Sequence, residues 1–202
     1  HAPARLESTL TDVLLRFGPL VLLAGTCLWL MLATRRTSSA IGRKVYGFGG
    51  SGRQRLAQGL FRFSVIGALF GSASHAIGLA GVALHPLADA PFQLRLAGLG
   101  MALLGSLLTV FAQSDMGRCW RVGVPEAVPD ALVTTGLFGV SRNPVFLGML
   151  MLAVGLALAL SSAVMIVCAA AFCLACEIQV RDEERLLENA FGAEYAAYRQ
   201  SV

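Results

Sequence analysis

The sequence predicts an all-α integral membrane protein with about five transmembrane helices and a C-terminal cytoplasmic helix, and three observations lead to that fold class. Hydrophobic residues make up 56% of the 202 residues and charged residues only 14%, whereas a soluble domain carries about 25% charged residues. The mean hydropathy is +0.69. Long apolar runs alternate with polar segments that contain most of the basic residues. A soluble domain of this size cannot bury so much apolar surface, so that class is excluded.

The apolar runs place the helices, because about 20 apolar residues in a helix cross the hydrocarbon core of a bilayer. The first three runs predict spans at 13–33, 60–84 and 94–112. A fourth run, 144–178, is long enough for two helices and is interrupted only by Ser161 and Ser162, so it predicts a tight helical hairpin. The charged tail after it has a helical pattern.

Polar segments connect these runs. Residues 34–59 are rich in Gly, Ser and Arg and predict a loop with one interfacial turn. A short turn is expected around His85, Pro86, Asp89 and Pro91. Residues 113–142 form a second long polar segment that contains Pro125 and Pro129. We expect two regions, with generic membrane helices over 1–112 and patterned polar residues over 113–202.

The basic residues set the expected orientation. Thirteen of the sixteen Lys and Arg residues lie in 34–62, 113–143 and the tail, which share one side of the membrane if there are five spans. Basic loops stay in the cytoplasm, so we expect an outside N-terminus and a cytoplasmic C-terminus, in a bacterial inner membrane. The basic residues that give the net charge of +4 are then interpreted as topology signals and as contacts to lipid headgroups. No motif predicts nucleic-acid binding.

The cysteines and histidines predict packing and no metal site. Cys173 and Cys176 form a CxxC pair, but it lies inside a predicted helix without a second pair. His75 falls within the second span, where a helix–helix hydrogen bond is the favoured interpretation. His85 lies at the outer turn, and neither histidine has companion ligands.

The first polar cluster, 132–148, precedes the hairpin. Pro144 suits the first turn of a helix and Asn143 its N-cap. Free backbone N–H groups at such a helix start can bind a carboxylate. Arg142 can pair with the same carboxylate, or with an acidic residue of the tail. The alternative is a capped helix whose Arg142 side chain extends to lipid headgroups.

The second polar cluster, 183–198, follows the hairpin, which returns both clusters to the same membrane face. Glu183 and Glu184 are candidates for ribose hydroxyls or an ammonium group, although acids at a helix start also complement the helix dipole. Apolar and aromatic residues recur at helical spacing, which is more typical of packing than of ligand binding; they are Leu187, Phe191, Tyr195 and Tyr198.

The two clusters together carry a family resemblance. The pattern LVxxGxFxxxRNPxxxG, then a hairpin, then EExxLxxxFGxxYxxY resembles the membrane-bound methyltransferases related to isoprenylcysteine carboxyl methyltransferase and the phospholipid N-methyltransferases. The resemblance covers about 116–200, and residues 116–124 are similar to the preceding segment of bacterial members. The better-known members have His where this chain has Asn143, and asparagine cannot act as a titrating base.

The resemblance implies methyl transfer from S-adenosylmethionine, bound between the hairpin, the 136–142 loop and the tail helix. Arg142 would bind the cofactor carboxylate, and Glu183 or Glu184 its amino or ribose groups. Aromatic side chains of Phe138, Tyr195 and Tyr198 would cover the adenine or the sulfonium. The implied catalytic residues are Arg142, Asn143 and Glu184. The implied cofactor-binding residues are Gly136, Leu137, Phe138, Arg142, Asn143, Pro144, Gly148, Glu183, Glu184, Tyr195 and Tyr198.

The identity of the acceptor stays open at this point. It is a small or lipidic carboxylate, thiol or amine, and it enters the site from the surrounding membrane lipids. A carboxylate or thiolate needs positioning more than proton transfer. An amine or thiol needs a base, for which Asp115, Glu177 and Glu184 are candidates. Two other interpretations remain. One is an NADPH-dependent membrane reductase of the sterol-reductase type, because residues 181–183 are similar to the tail of those enzymes. The other is a non-catalytic membrane scaffold.

Overall fold

Five long helices and one short helix form the described part of the chain. The computed structural model describes residues 2–42, 44–47, 50–79, 90–123 and 131–202. The helices are α1 (Ala2–Ile41), α2 (Gly52–Ile77), α3 (Phe92–Met116), α4 (Pro144–Leu160), α5 (Ala163–Phe191) and α6 (Ala193–Ser201), with short 3-10 turns at Gly117–Cys119 and Gly136–Gly139. Within these ranges the only β feature is an isolated bridge between Tyr46 and Val122. The all-α prediction is confirmed.

The apolar helices agree with a membrane protein. Among the described residues, α1, α2, α3 and α5 are each long and apolar enough to cross a bilayer, and α4 is a shorter apolar helix of 17 residues. Ser161 separates α4 from α5 with a left-handed φ of 49°. The Ser162 hydroxyl then caps α5 by accepting the Met165 N–H. The predicted hairpin break at the serine pair is confirmed.

The prediction of a loop over 34–59 is wrong at both ends. Helix α1 continues to Ile41 and α2 already begins at Gly52. Helical hydrogen bonds do not require apolar side chains, so a helix runs past the end of its apolar stretch. The Ser51 hydroxyl fixes the start of α2 by accepting the Gln54 N–H at 3.2 Å. The second span therefore begins earlier than predicted.

Some predicted features lie outside the described residues. They are the end of the second predicted span, the turn residues His85, Pro86 and Asp89, and the prolines Pro125 and Pro129. Helix α2 ends at Ile77, where Gly78 takes a left-handed φ of 72°.

Glycines let α3 and α4 pack backbone against backbone. A Cβ atom placed on Gly105 would lie 2.5 Å from the Gly148 carbonyl oxygen. A Cβ atom on Gly155 would lie 2.5 Å from the Ala102 amide nitrogen. Distances this short leave no room for a side chain, so the close approach of the two helices depends on glycine at these positions.

One end of the bundle collects the polar segments, and we call it the basic end. Here α1, α3 and α5 end and α2 and α4 begin. The Trp120 indole donates to the Thr34 hydroxyl at 3.0 Å. The Val122 N–H donates to the Val45 carbonyl at 2.8 Å, which joins the segment after α1 to the segment after α3. These contacts bring residues far apart in sequence to one surface.

Basic side chains cap carbonyls at the opposite end. Arg16 donates to the Ala76 carbonyl at 2.8 Å, and Arg95 donates to the Ala159 carbonyl at 3.1 Å. These carbonyls lie in the last turns of α2 and α4, where helical donors are lacking. His75 lies near the backbone of Leu15, whose carbonyl lacks its usual helical donor because Pro19 has no N–H. The helix–helix hydrogen bond favoured for His75 stays a prediction.

Candidate functional site

A cavity of about 460 Å³ opens at the basic end, and we call it the central cavity. It lies between α1, α2, α4 and α5 and is bordered by the segment that follows α3. Its lining is apolar toward the middle of the bundle and polar toward the basic end. The polar side chains are Thr34, Arg35, Arg121, Asn143, Gln179 and Glu183, and the aromatic ones are Tyr46, Phe61, Trp120, Phe138 and Phe146.

An ion pair forms the polar wall of the central cavity. Arg121 Nη2 donates to Glu183 Oε1 at 3.0 Å, and the two side chains are only 11% and 18% exposed. The Nε atom of Arg121 is buried and has no hydrogen-bond partner among the described residues. A buried donor left unpaired is costly, so this atom marks a place where a ligand acceptor would be stabilised.

The two adjacent acids of α5 point to different partners. Glu183 pairs with Arg121, whereas Glu184 Oε1 accepts from Arg142 Nε at 3.0 Å. Consecutive residues of a helix lie about 100° apart around its axis, so their side chains diverge. Arg142 also donates to the Val202 carbonyl at 3.1 Å. The Arg142–Glu184 pair therefore ties the loop before α4 to α5 and to the end of α6.

Two hydrogen bonds and a close approach at Gly136 position the loop that carries Phe138. Gly136 has a left-handed φ of +61°, and a Cβ atom there would collide with the Asp115 carboxylate. That carboxylate accepts the Leu137 N–H at 2.9 Å. The Tyr198 hydroxyl donates to the Phe138 carbonyl at 2.6 Å. Asp115, a candidate base in the sequence, thus anchors this loop.

The two tyrosines of α6 are packed inside the protein. Tyr195 is only 1% exposed, and its ring centroid lies 6.1 Å from that of Tyr198. The Tyr195 hydroxyl has no hydrogen-bond partner among the described residues. Burial, together with the nearby Glu184 carboxylate, raises the pKa of Tyr195 to about 12, so the phenol stays neutral.

A second, more open groove of about 550 Å³ lies between α4 and α5, and we call it the outer groove. Arg142, Asn143 and Phe146 line it at the basic end, and Cys173 and Glu177 line it along α5. Asn143 and Phe146 also border the central cavity. These two side chains therefore form the wall between the two spaces. Glu177, another candidate base, forms an ion pair with Arg181 one turn further along α5.

A small apolar pocket of about 60 Å³ continues the central cavity toward the middle of the bundle. The two spaces share five lining residues, Cys27, Leu30, Phe61, Val65 and Met149. The inner end is formed by apolar side chains such as Leu152, Leu156 and Met165. A ligand with a polar end and an apolar end therefore matches the combined shape.

The structure brings together some of the residues assigned by the resemblance and separates others. Phe138, Asn143 and Glu183 line the central cavity, and Arg142 lines the outer groove with Asn143. Neither space is lined by the remaining seven: Gly136, Leu137, Pro144, Gly148, Glu184, Tyr195 and Tyr198. Gly148 instead meets Thr109 of α3, where a Cβ atom would lie 2.6 Å from the hydroxyl.

Asn143 occupies the N-cap position of α4, and Pro144 follows at the first helical position as predicted. The Asn143 side chain makes no capping hydrogen bond. Its amide is therefore left to the two spaces that it separates, where it can donate and accept without changing charge.

Arg121 is the main site residue that the sequence did not single out, and Tyr46 and Trp120 accompany it on the cavity wall. The similarity of 116–124 to bacterial methyltransferases was a signal for this segment, but it assigned no role to Arg121. In the described part of the chain, no group of three or more His, Cys, Asp or Glu residues is placed to hold a metal ion.

A protein-family model described as phospholipid methyltransferase matches residues 94–194, which is half of the chain. No curated protein and no solved structure matches the chain. The matched segment runs from α3 into α6 and includes most of the residues that line the central cavity, among them Arg121, Phe138, Asn143 and Glu183.

Proposed function

Because this chain belongs to the phospholipid methyltransferase family, we propose that it transfers a methyl group from S-adenosylmethionine to a lipid-like acceptor at the cytoplasmic membrane face. The observation that carries the proposal is the central cavity, in which the Arg121–Glu183 pair faces aromatic rings and an apolar extension. Family members generally use S-adenosylmethionine.

The central cavity fits the chemical groups of this cofactor. A carboxylate would pair with Arg121, whose buried Nε has no acceptor among the described residues. Glu183 would hold the ammonium group or ribose hydroxyls. Aromatic faces suit both a flat adenine and a sulfonium cation, and Phe138, Trp120 and Phe146 provide them. We therefore assign the cofactor carboxylate to Arg121, with Arg142 and Glu184 as residues that position the loop.

Bound S-adenosylmethionine supplies an electrophilic methyl group. The residues of this chain then have to orient the acceptor in line with that group and keep water away. Phe61, Val65 and Met149 make the inner wall apolar, and removal of water strengthens electrostatic interactions in the site. Positioning alone supplies a large part of such a rate acceleration.

The residues that line the cavity indicate which class of acceptor it can bind. The apolar pocket toward Leu156 suits a hydrocarbon group of the acceptor. Asn143 cannot take a proton, and none of Asp115, Glu177 and Glu184 lines the central cavity. For an amine or thiol acceptor, Glu183 is then the carboxylate placed to receive the proton. A carboxylate acceptor would need no base.

Calorimetry with S-adenosylhomocysteine on the detergent-purified protein tests the proposal. We expect micromolar affinity, about 8 kcal/mol of binding free energy, and at least a tenfold loss in Arg121→Gln and in Glu183→Gln. Glu188→Gln is the matched control, because Glu188 lies on the same helix but is exposed and pairs with Arg199. Arg142→Ala and Glu184→Ala should weaken binding less if they only position the loop.

A folded protein that does not bind S-adenosylhomocysteine would contradict the proposal. NADPH titrated in the same experiment covers the reductase interpretation, and binding of neither molecule would favour the scaffold interpretation. Equal affinities for Glu183→Gln and Glu188→Gln would move the cofactor site away from the central cavity.

A further inference from the structure

A third space, a groove of about 490 Å³, lies beside the end of α1. We call it the α1 groove. Every residue that lines it carries a side-chain hydrogen-bond donor; they are Thr34, Arg35, Ser38, Ser39, Lys44 and Tyr46. No carboxylate and no aliphatic side chain is among them. This composition differs from that of the central cavity, whose wall is mostly apolar.

Among the described residues, the two cations of the α1 groove have no ion-pair partner. In the described ranges no carboxylate lies within ion-pair distance of Arg35 or Lys44, whereas Arg121 and Arg142 each pair with a glutamate. Arg35 and Lys44 are both exposed. The groove therefore carries a local positive charge that an anion can complement.

The hydroxyl groups of this groove are placed by backbone contacts. Ser38 Oγ accepts the Val45 N–H at 3.2 Å, which joins the end of α1 to the segment that carries Lys44. The Thr34 hydroxyl donates to the Leu30 carbonyl at 2.7 Å and accepts from the Trp120 indole. Thr34 thus serves as structural support, while the hydroxyl hydrogens of Ser38 and Ser39 have no acceptor among the described residues and can bind a ligand.

The α1 groove is continuous with the central cavity. Thr34, Arg35 and Tyr46 line both spaces. A ligand whose anion lies between Arg35 and Lys44 can therefore extend its other part past Tyr46 toward Glu183. Residues 34–46 precede the segment matched by the family model, which begins at 94, so this groove is a feature of the chain's own N-terminal part.

We propose that the α1 groove binds a phosphate-type anion, held by Arg35 and Lys44 with the hydroxyls of Ser38 and Ser39. A tetrahedral phosphate offers several oxygens, which suit a planar guanidinium, an ammonium group and two hydroxyls approaching from different sides. A carboxylate has two oxygens in one plane, so it suits donors that approach from different sides less well than a tetrahedral phosphate does. This inference rests on the proposed function, because it assigns the anion to the methyl acceptor that enters the central cavity.

The phosphate has two possible sources, the headgroup of a lipid acceptor or a free phosphate ion. Calorimetry on the full chain in detergent would compare three probes: dihexanoyl phosphatidic acid, dihexanoylglycerol and inorganic phosphate. The variants are Arg35→Gln and Lys44→Gln. Arg36→Gln is the matched control, since it removes the same charge from the neighbouring exposed position of α1 outside the groove.

We expect the lipid phosphate to bind at least tenfold more tightly than the diacylglycerol, and each groove variant to weaken it at least tenfold. Arg36→Gln should change its affinity less than twofold. Equal binding of the lipid phosphate and the diacylglycerol, or equal losses in the groove variants and the control, would overturn the proposal. Inorganic phosphate bound as tightly as the lipid phosphate would overturn the assignment to the acceptor.

S-adenosylhomocysteine, measured on the same wild-type preparation, separates the two proposals. If it binds while the lipid phosphate does not, the α1 groove proposal fails and the methyltransferase proposal stands. If it does not bind while the lipid phosphate binds with the expected dependence on Arg35 and Lys44, the cofactor proposal fails and the anion site stands without its link to methyl transfer.

Discussion

At the scale of single residues, the partner of each polar side chain decides its role. Glu183 and Glu184 are neighbours in sequence, yet one faces the central cavity with Arg121 and the other ties Arg142 to α5. The sequence identifies both acids as candidates. It cannot divide their roles, because Arg121 comes from a segment 62 residues away and its pairing depends on how the loop after α3 folds back.

The tyrosines of α6 form a matched pair for mutation. The Tyr198 hydroxyl donates to the Phe138 carbonyl, whereas the Tyr195 hydroxyl has no partner among the described residues. Tyr198→Phe should lower the free energy of unfolding by about 1–3 kcal/mol, because a buried carbonyl loses its donor. Tyr195→Phe should be neutral or stabilising. Thermal unfolding in detergent checks both, and an equal loss in the two variants would contradict this assignment.

The raised pKa of Tyr195 also predicts a dependence on pH. In the unfolded chain a tyrosine ionises near pH 10, whereas in the folded protein the pKa of Tyr195 is about 12. Its contribution is therefore fully present below pH 10 and is lost as the pH rises from 10 to 12. Wild type should lose more stability than Tyr195→Phe over that interval, as measured by thermal unfolding at successive pH values. Parallel curves would refute the prediction.

At the scale of helices, the close packing of α3 and α4 positions the site. Both helices begin or end at the basic end, and Thr109 of α3 meets Gly148 of α4 one turn from Asn143 and Pro144. Gly98 and Ala102 have the small-residue spacing that is typical of close helix packing, either within one chain or between chains. The structure places these contacts within the chain, between α3 and α4.

Two glycines of α3 give opposite expectations. Gly105→Ala would place a Cβ atom 2.5 Å from the α4 backbone, so the helices must separate at a cost of about 1–3 kcal/mol or more. At Gly100 a Cβ atom would have no other atom within 4 Å, and Gly100→Ala should stabilise the helix by about 0.5–1 kcal/mol. Measured melting temperatures in detergent would compare the two variants. Equal shifts in melting temperature would show that the α3–α4 contact tolerates a side chain.

The helices were largely predictable and the connections were not. Apolar length placed all five long helices, and the serine pair placed the break between α4 and α5. The loop predicted over 34–59 is wrong at both ends because polar side chains give no signal for the continuation of α1 or the early start of α2. The short pairing of Val45 with Val122, which brings Tyr46 and Arg121 to the cavity, has no local sequence signal because its two strands are single residues.

At the scale of the whole molecule, the division into two ends organises the candidate chemistry. The central cavity, the outer groove and the α1 groove all open at the basic end, while arginines at the opposite end cap helix termini. Lys and Arg near membrane helices favour the cytoplasm. We therefore expect the site to face the compartment where S-adenosylmethionine is made.

Reporter fusions in a bacterium test that orientation. Green fluorescent protein fused after Val202 should fluoresce, and alkaline phosphatase fused at the same point should be inactive, because the basic end is expected to face the cytoplasm. Alkaline phosphatase fused after Leu79, just beyond α2 at the opposite end, should be active. The reverse pattern would contradict the orientation and place the cavity on the wrong side for its cofactor.

The short length of α4 affects the lipid around it. At 17 residues the helix is about 26 Å long, whereas the hydrocarbon core of a typical bilayer is about 30 Å thick. Its neighbour α3 cannot slide to compensate, because the glycine contacts fix their relative height. We expect the bilayer beside α4 to thin by a few ångströms, at a modest cost for each ångström of mismatch. The length of the acyl chains in a host membrane should therefore affect this protein, and lipids with shorter chains should gather next to the outer groove.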